Sequence, residues 1–141
     1  MQIGSGTLIL TKTNTYTGDT LVTNGTLRLA TNLAIQNSVL NINNPGSLQF
    51  SNITSAQFGG LKGNRSIALT NNTGAAVSLT LNNTTTTNTI YSGVLSGPGT
   101  LILAVAGSQT LSGNNSYNGG TFLNAGTLAI GNINADRKSV V

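Results

Sequence analysis

The chain writes one stretch twice. Asn14 to Ala30 reads NTYTGDTLVTNGTLRLA, and Asn115 to Gly131 reads NSYNGGTFLNAGTLAIG. Asn14, Tyr16, Gly18, Thr20, Gly25, Thr26 and Leu27 recur 101 residues later as Asn115, Tyr117, Gly119, Thr121, Gly126, Thr127 and Leu128. A shorter echo precedes each: GSGTLIL, Gly4 to Leu10, and GPGTLIL, Gly97 to Leu103, only 93 residues apart. Aligned this way, the second copy carries eight extra residues, about Ala104 to Leu111. An insertion inside a repeat belongs in a loop. A chain that spells the same local geometry twice is built of repeating units, and the unit must tell us which kind.

The unit is made of short strands. TLIL (7–10), TLRL (26–29), VLNI (39–42), SLQF (47–50), SIAL (66–69), VSLTL (77–81), TLIL (100–103) and TLAI (127–130) are four or five residues long. Most set apolar residues two apart, which gives one inward and one outward face. Between them stand turn dipeptides: Asn24-Gly25, Pro45-Gly46, Gly59-Gly60, Gly63-Asn64, Gly97-Pro98 and Gly119-Gly120. Gly and Asn supply the positive φ of tight turns. No window carries an apolar stripe at helical spacing with caps. The weak exception, LATNLAIQNSVL around Leu33, reads as loop and strand. The expected class is all-β.

Charge narrows the architecture. Charged residues make up 6% of the chain, against about 25% in an ordinary globular domain. Aromatic residues make up 4%, which is thin for a sandwich core, and the aromatic signatures of propeller blades are missing. A linker is argued against by the regular apolar runs. A parallel β-helix fits: coils of short strands stack about 4.8 Å apart around a narrow core of Leu, Ile, Val and Ala. Asn and Thr ladders then replace charge, because stacking would bring like charges together. At roughly 20–25 residues per coil the chain makes about six coils.

These residues resemble a known family. GSGTLILTKTNTYTGDTLVTNGTL and its echo GPGTLIL…SGNNSYNGGTFLNAGTL are similar to the autotransporter-associated β-strand repeat, also called the passenger-associated transport repeat. Gly59 to Leu103 resembles the linking coils between such repeats. The first copy departs from the second in having Asp19 where Gly120 stands. The resemblance implies a right-handed parallel β-helix, a fragment of a longer stalk, with a passenger segment over 1–132 and repeats at about 4–32 and 97–132. It implies a structural role in a bacterial autotransporter, aiding secretion and folding of the passenger at the cell surface. Its implied partners are adjacent coils of the same longer chain and an outer-membrane β-barrel translocator. The alternative is an adhesin module that binds glycans or a host surface.

Chemistry is sparse. The acids are Asp19 and Asp136, and there is no His, Glu or Cys. Glycoside hydrolysis needs two placed carboxylates, so a polysaccharide-cleaving β-helix enzyme is disfavoured. Lys12 and Lys62 sit in no motif that would activate a serine. No catalytic, metal or cofactor site is expected. The net charge of +4 comes from scattered Lys and Arg, not a patch, so no nucleic acid is expected. No apolar run approaches membrane-spanning length, and MQIGSGTLIL lacks the plan of a signal peptide, so any export signal is expected outside these residues. Tyr16, Tyr91 and Tyr117 are expected at coil corners, each hydroxyl bonded to a neighbouring coil; stacking on sugar rings is the rival reading. The tail, 133–141, changes texture. DRKSVV, Asp136 to Val141, looks like translated sequencing adapter, the alternative being a natural charged tail.

Overall fold

The computed structural model describes residues 1–82 and 88–131, so the reading of the 133–141 tail lies outside the described residues. They form fourteen strands: β1 (Thr7–Leu10), β2 (Thr20–Val22), β3 (Thr26–Leu29), β4 (Ile35–Ile42), β5 (Ser47–Phe50), β6 (Ser55–Gly63), β7 (Ile67–Ala68), β8 (Ser78–Leu81), β9 (Thr89–Tyr91), β10 (Leu95–Ser96), β11 (Leu101–Leu103), β12 (Ser108–Leu111), β13 (Thr121–Leu123) and β14 (Thr127–Ile130). Every pairing between these strands is parallel. The protein is a parallel β-solenoid of about six turns. A parallel strand needs a crossover before it can pair again, and here the crossover is the rest of one coil.

The pairs fall on three lines, which are the walls of the coil. On the first wall, β2 pairs β4, β4 pairs β6, Gly63 of β6 meets Tyr91 of β9, and β12 and β14 follow. The second wall holds β1, β3 and β5, then β7 and β10. Along the third, Ile35 meets Phe58, Phe58 meets Leu81, Leu81 meets Leu103, and Leu103 meets Leu123. β4 and β6 are the longest strands because they bend from the third wall into the first, and the register shifts between Ile35 and Val39 at that bend. Alternate residues point inward, so Leu27, Leu40, Phe58, Leu79 and Leu101 are fully buried in one continuous core. Burying such side chains is worth about 1.5–3 kcal/mol each.

Two expectations need correction. Gly59-Gly60 is not a turn but the bend in the middle of β6. Both glycines are buried, and a Cβ at Gly59 would meet the Asn37 carbonyl at 2.7 Å. The eight residues from Ala104 to Leu111 are not a loop insertion, since they contain β12, with Gln109 and Leu111 buried. β12 pairs β14 just as β1 pairs β3, Ser108 to Thr127 and Thr7 to Thr26. The spacing between copies is therefore 101 throughout, from Thr7 and Ser108 to Thr26 and Thr127. The GPGTLIL echo belongs to β11 on another wall. Its likeness to GSGTLIL reflects a shared strand-and-turn chemistry, not an equivalent place.

Walls explain this. β1 and β3 lie on the second wall, whereas β12 and β14 lie on the first. β2 lies on the first wall and its counterpart β13 on the third. The same unit is used twice, turned by one wall.

Candidate functional site

The repeated coil is the feature the structure assembles. Each copy turns sharply before its third strand, at Asn24-Gly25 and at Ala125-Gly126. Gly25 has φ +67° and Gly126 φ +81°. A Cβ at Gly25 would overlap the carbonyl oxygens of Gly4 and Gly6, and at Gly126 those of Val105 and Gly107. The turn thus lies directly on the coil below. Thr26 N–H donates to Gly6 O and Thr127 N–H to Gly107 O, both at 3.0 Å.

Hydroxyl and amide side chains tie coil to coil. Thr20 and Ser38 bond at 2.7 Å, Thr26 and Ser47 at 2.8 Å, and Ser78 and Thr100 at 2.6 Å. Arg28 donates to Gln49 Oε1 from Nε and from a terminal nitrogen, so the stacked neighbour of a cation is a neutral acceptor. These ladders are more mixed than Asn on Asn or Thr on Thr. Gln109 is 1% exposed and spans three coils. Its Oε1 accepts from Leu61 N–H at 3.1 Å and from Thr89 Oγ1 at 2.7 Å, and its Nε2 donates to Leu61 O and Thr89 O at 3.0 Å. The carboxamide acts as a peptide group, filling a place where β6 and β9 pair only at Gly63 and Tyr91.

The three tyrosines divide. Tyr91 is fully buried, and its hydroxyl donates to Arg65 O in the neighbouring coil at 2.5 Å. Burial pushes that hydroxyl well above its ordinary pKa, with smaller downward pulls from the Ile67 backbone and then the Arg65 charge. Tyr16 and Tyr117 differ from expectation: each bonds within its own coil, four residues along, to Thr20 and Thr121. Tyr117 is 4% exposed because its coil lies on the one carrying Leu95, whose carbonyl takes the Tyr117 N–H. Tyr16 stands in the first described coil and is 43% exposed.

Asp19 pairs with Lys62 at 3.3 Å, half exposed at the surface. Lys12 is exposed, with no carboxylate bonded to it among the described residues. No group of three or more His, Cys, Asp or Glu side chains gathers among the described residues. Sequence reading missed Gln109 because its counterpart in the first copy is Leu8, so the repeat gave no signal there.

Comparison with known proteins bears on this coil. The model of the passenger-associated-transport-repeat family matches residues 2–29 and 106–130. Those limits are the two units that the strand pairing defines, β1 to β3 and β12 to β14. Both copies of the unit are thus similar to the passenger-associated transport repeat. A Brucella suis (biovar 1, strain 1330) protein named adhesin BmaC autotransporter is 37% identical over 132 residues. That match takes in 89% of this chain but only 4% of the relative. No solved structure matches the chain.

Proposed function

We propose that this solenoid is a segment of an autotransporter passenger stalk that aids folding and secretion of the passenger and spaces an adhesive region from the cell surface. The observation that carries it is the placement of both copies of the unit inside one parallel stack, joined by linking coils with no break in the core. The likeness to an adhesin autotransporter supports it. Solenoid coils add by nearest-neighbour contact, so coils stacking outside the membrane would hold the emerging chain against sliding back. The expected partner is an outer-membrane β-barrel translocator in the full-length protein, and the expected location is the bacterial cell surface. No hydrolytic role is assigned: Asp19 is held by Lys62, and no second carboxylate stands near it among the described residues.

The test uses the segment within a passenger that has its own signal and translocator. Leu27 is fully buried in the first repeat. Leu27→Asp should lower surface delivery several-fold without lowering synthesis, read by protease accessibility on whole cells. Unchanged delivery would sink the secretion role. The adhesin reading is favoured by the relative's name and by a hollow of about 260 Å³ on the second wall, lined by Leu48, Gln49, Thr70 and Asn72 among others. Specific binding on a glycan array, lost on Gln49→Ala, would select it over the stalk reading.

A further inference from the structure

The last described coil holds a buried hydrogen-bond donor with no acceptor among the described residues. Asn115 is 4% exposed; its Oδ1 accepts from Leu95 N–H in the coil below at 2.8 Å, and its Nδ2 has no partner among the described residues. A buried amide left unsatisfied costs about 1–3 kcal/mol and calls for an explanation. The first repeat supplies one. Asn14 is the same residue of the same unit; its Nδ2 donates to Lys12 O in its own coil at 3.1 Å and to Ala34 O, 20 residues on in the following coil, at 2.9 Å. The Asn carboxamide therefore has one atom for the coil below and one for the coil above. Asn14 shows the upward bond, and Asn115 shows the downward one.

The surface around Asn115 agrees. Phe122, Leu123 and Ile130 are 40%, 36% and 39% exposed. Their counterparts Leu21, Val22 and Leu29 are covered or partly covered, because β4 and β5 lie on them. The outer edges of β13 and β14 pair with no strand among the described residues.

We propose that the face of the last coil is a docking surface for one further parallel coil of the same chain, and that Asn115 Nδ2 sets its register by donating to a backbone carbonyl of that coil. The occupant follows from the first copy, where the stretch after Leu29 covers the corresponding face. A chain that spans 4% of its relative leaves ample length for it. The inference deepens the stalk reading, but its docking step can be tested without secretion.

The experiment grafts residues 31–52 after Gly131 in place of 132–141, with Asn115 or Asn115→Ala, beside the ungrafted pair. Loss of the Leu95 bond is common to both backgrounds and cancels in the double-mutant cycle. The graft should slow amide exchange in β14 at least tenfold in a monomeric protein. Asn115→Ala should then lower the folding equilibrium constant about tenfold more with the graft than without it. The Asn115 side-chain NH₂ protons should become slow to exchange in the grafted chain alone. Equal effects of Asn115→Ala in both backgrounds would overturn the register role. Protection of β14 that grows with concentration in the ungrafted protein would make a second copy the occupant and overturn the assignment. Should the graft fail to fold, Asn14→Ala and Asn14→Asp in the native chain decide: both remove the upward donor and should destabilise alike, and a neutral Asn14→Asp would overturn the proposal. Failed surface delivery with a successful cycle would count against the stalk reading only.

Discussion

Gln109 shows how a single side chain can repair a sheet. Four of its bonds reach Leu61 and Thr89 in the two coils beneath, and all its partners are buried or half-buried. Gln109→Leu keeps the bulk but strands the Leu61 N–H and C=O in the core. It should lower stability by about 3 kcal/mol, read as a lower urea midpoint at unchanged slope. A loss below about 1 kcal/mol would mean that water or backbone shift replaces the amide. Nothing in the sequence marks Gln109, because the repeat puts Leu8 there and Leu8 lies at the open end of the stack. Gly25 was legible because Asn24-Gly25 calls for a positive φ that glycine adopts freely, and Gly126 only as its counterpart 101 residues on. The tyrosine hydroxyls were only partly so: the class of environment could be read, but not which coil holds the acceptor.

At the scale of strands, period-two runs gave β1, β3, β4, β5, β7, β8, β11 and β14 close to their observed places. β12 escaped because SQTL is mostly polar and buries Gln109 instead of a hydrocarbon. β6 escaped because Gly59-Gly60 has the look of a turn. Pairing could not be read from any strand alone, since TLIL suits every wall equally. Burial then depends on what lies above a strand and not on its spelling. Leu27 and Leu128 are the same residue of the same unit, yet Leu27 is fully buried and Leu128 is partly buried at the edge. Leu27→Ala should cost about 2–5 kcal/mol and Leu128→Ala less than half as much, measured by denaturant unfolding. Equal losses would show that the unit carries its stability within itself.

The whole molecule is a stack in which charge is almost absent and backbone pairing is almost continuous. Its three walls are alike enough that one repeat unit sits on the second and first walls in one copy, and on the first and third in the other. That freedom suits a long stalk, in which units need only a coil at the right rise on either side and no fixed angle around the axis. The constant spacing of 101 residues and the one-wall turn are a single claim, and cysteine pairs test it directly. The chain has no cysteine of its own. Stacked parallel partners sit about 4.8 Å apart, within the roughly 4.4–6.8 Å Cα range of a disulfide. Ile9 pairs Arg28 and Thr110 pairs Ala129, the same positions of the two units. Cysteines at Ile9 and Arg28, and at Thr110 and Ala129, should cross-link fully under mild oxidation, whereas cysteines at Ile102 and Ala129 should not. Cross-linking of Ile102 with Ala129 in place of Thr110 with Ala129 would restore the register suggested by the GTLIL echo and contradict the account.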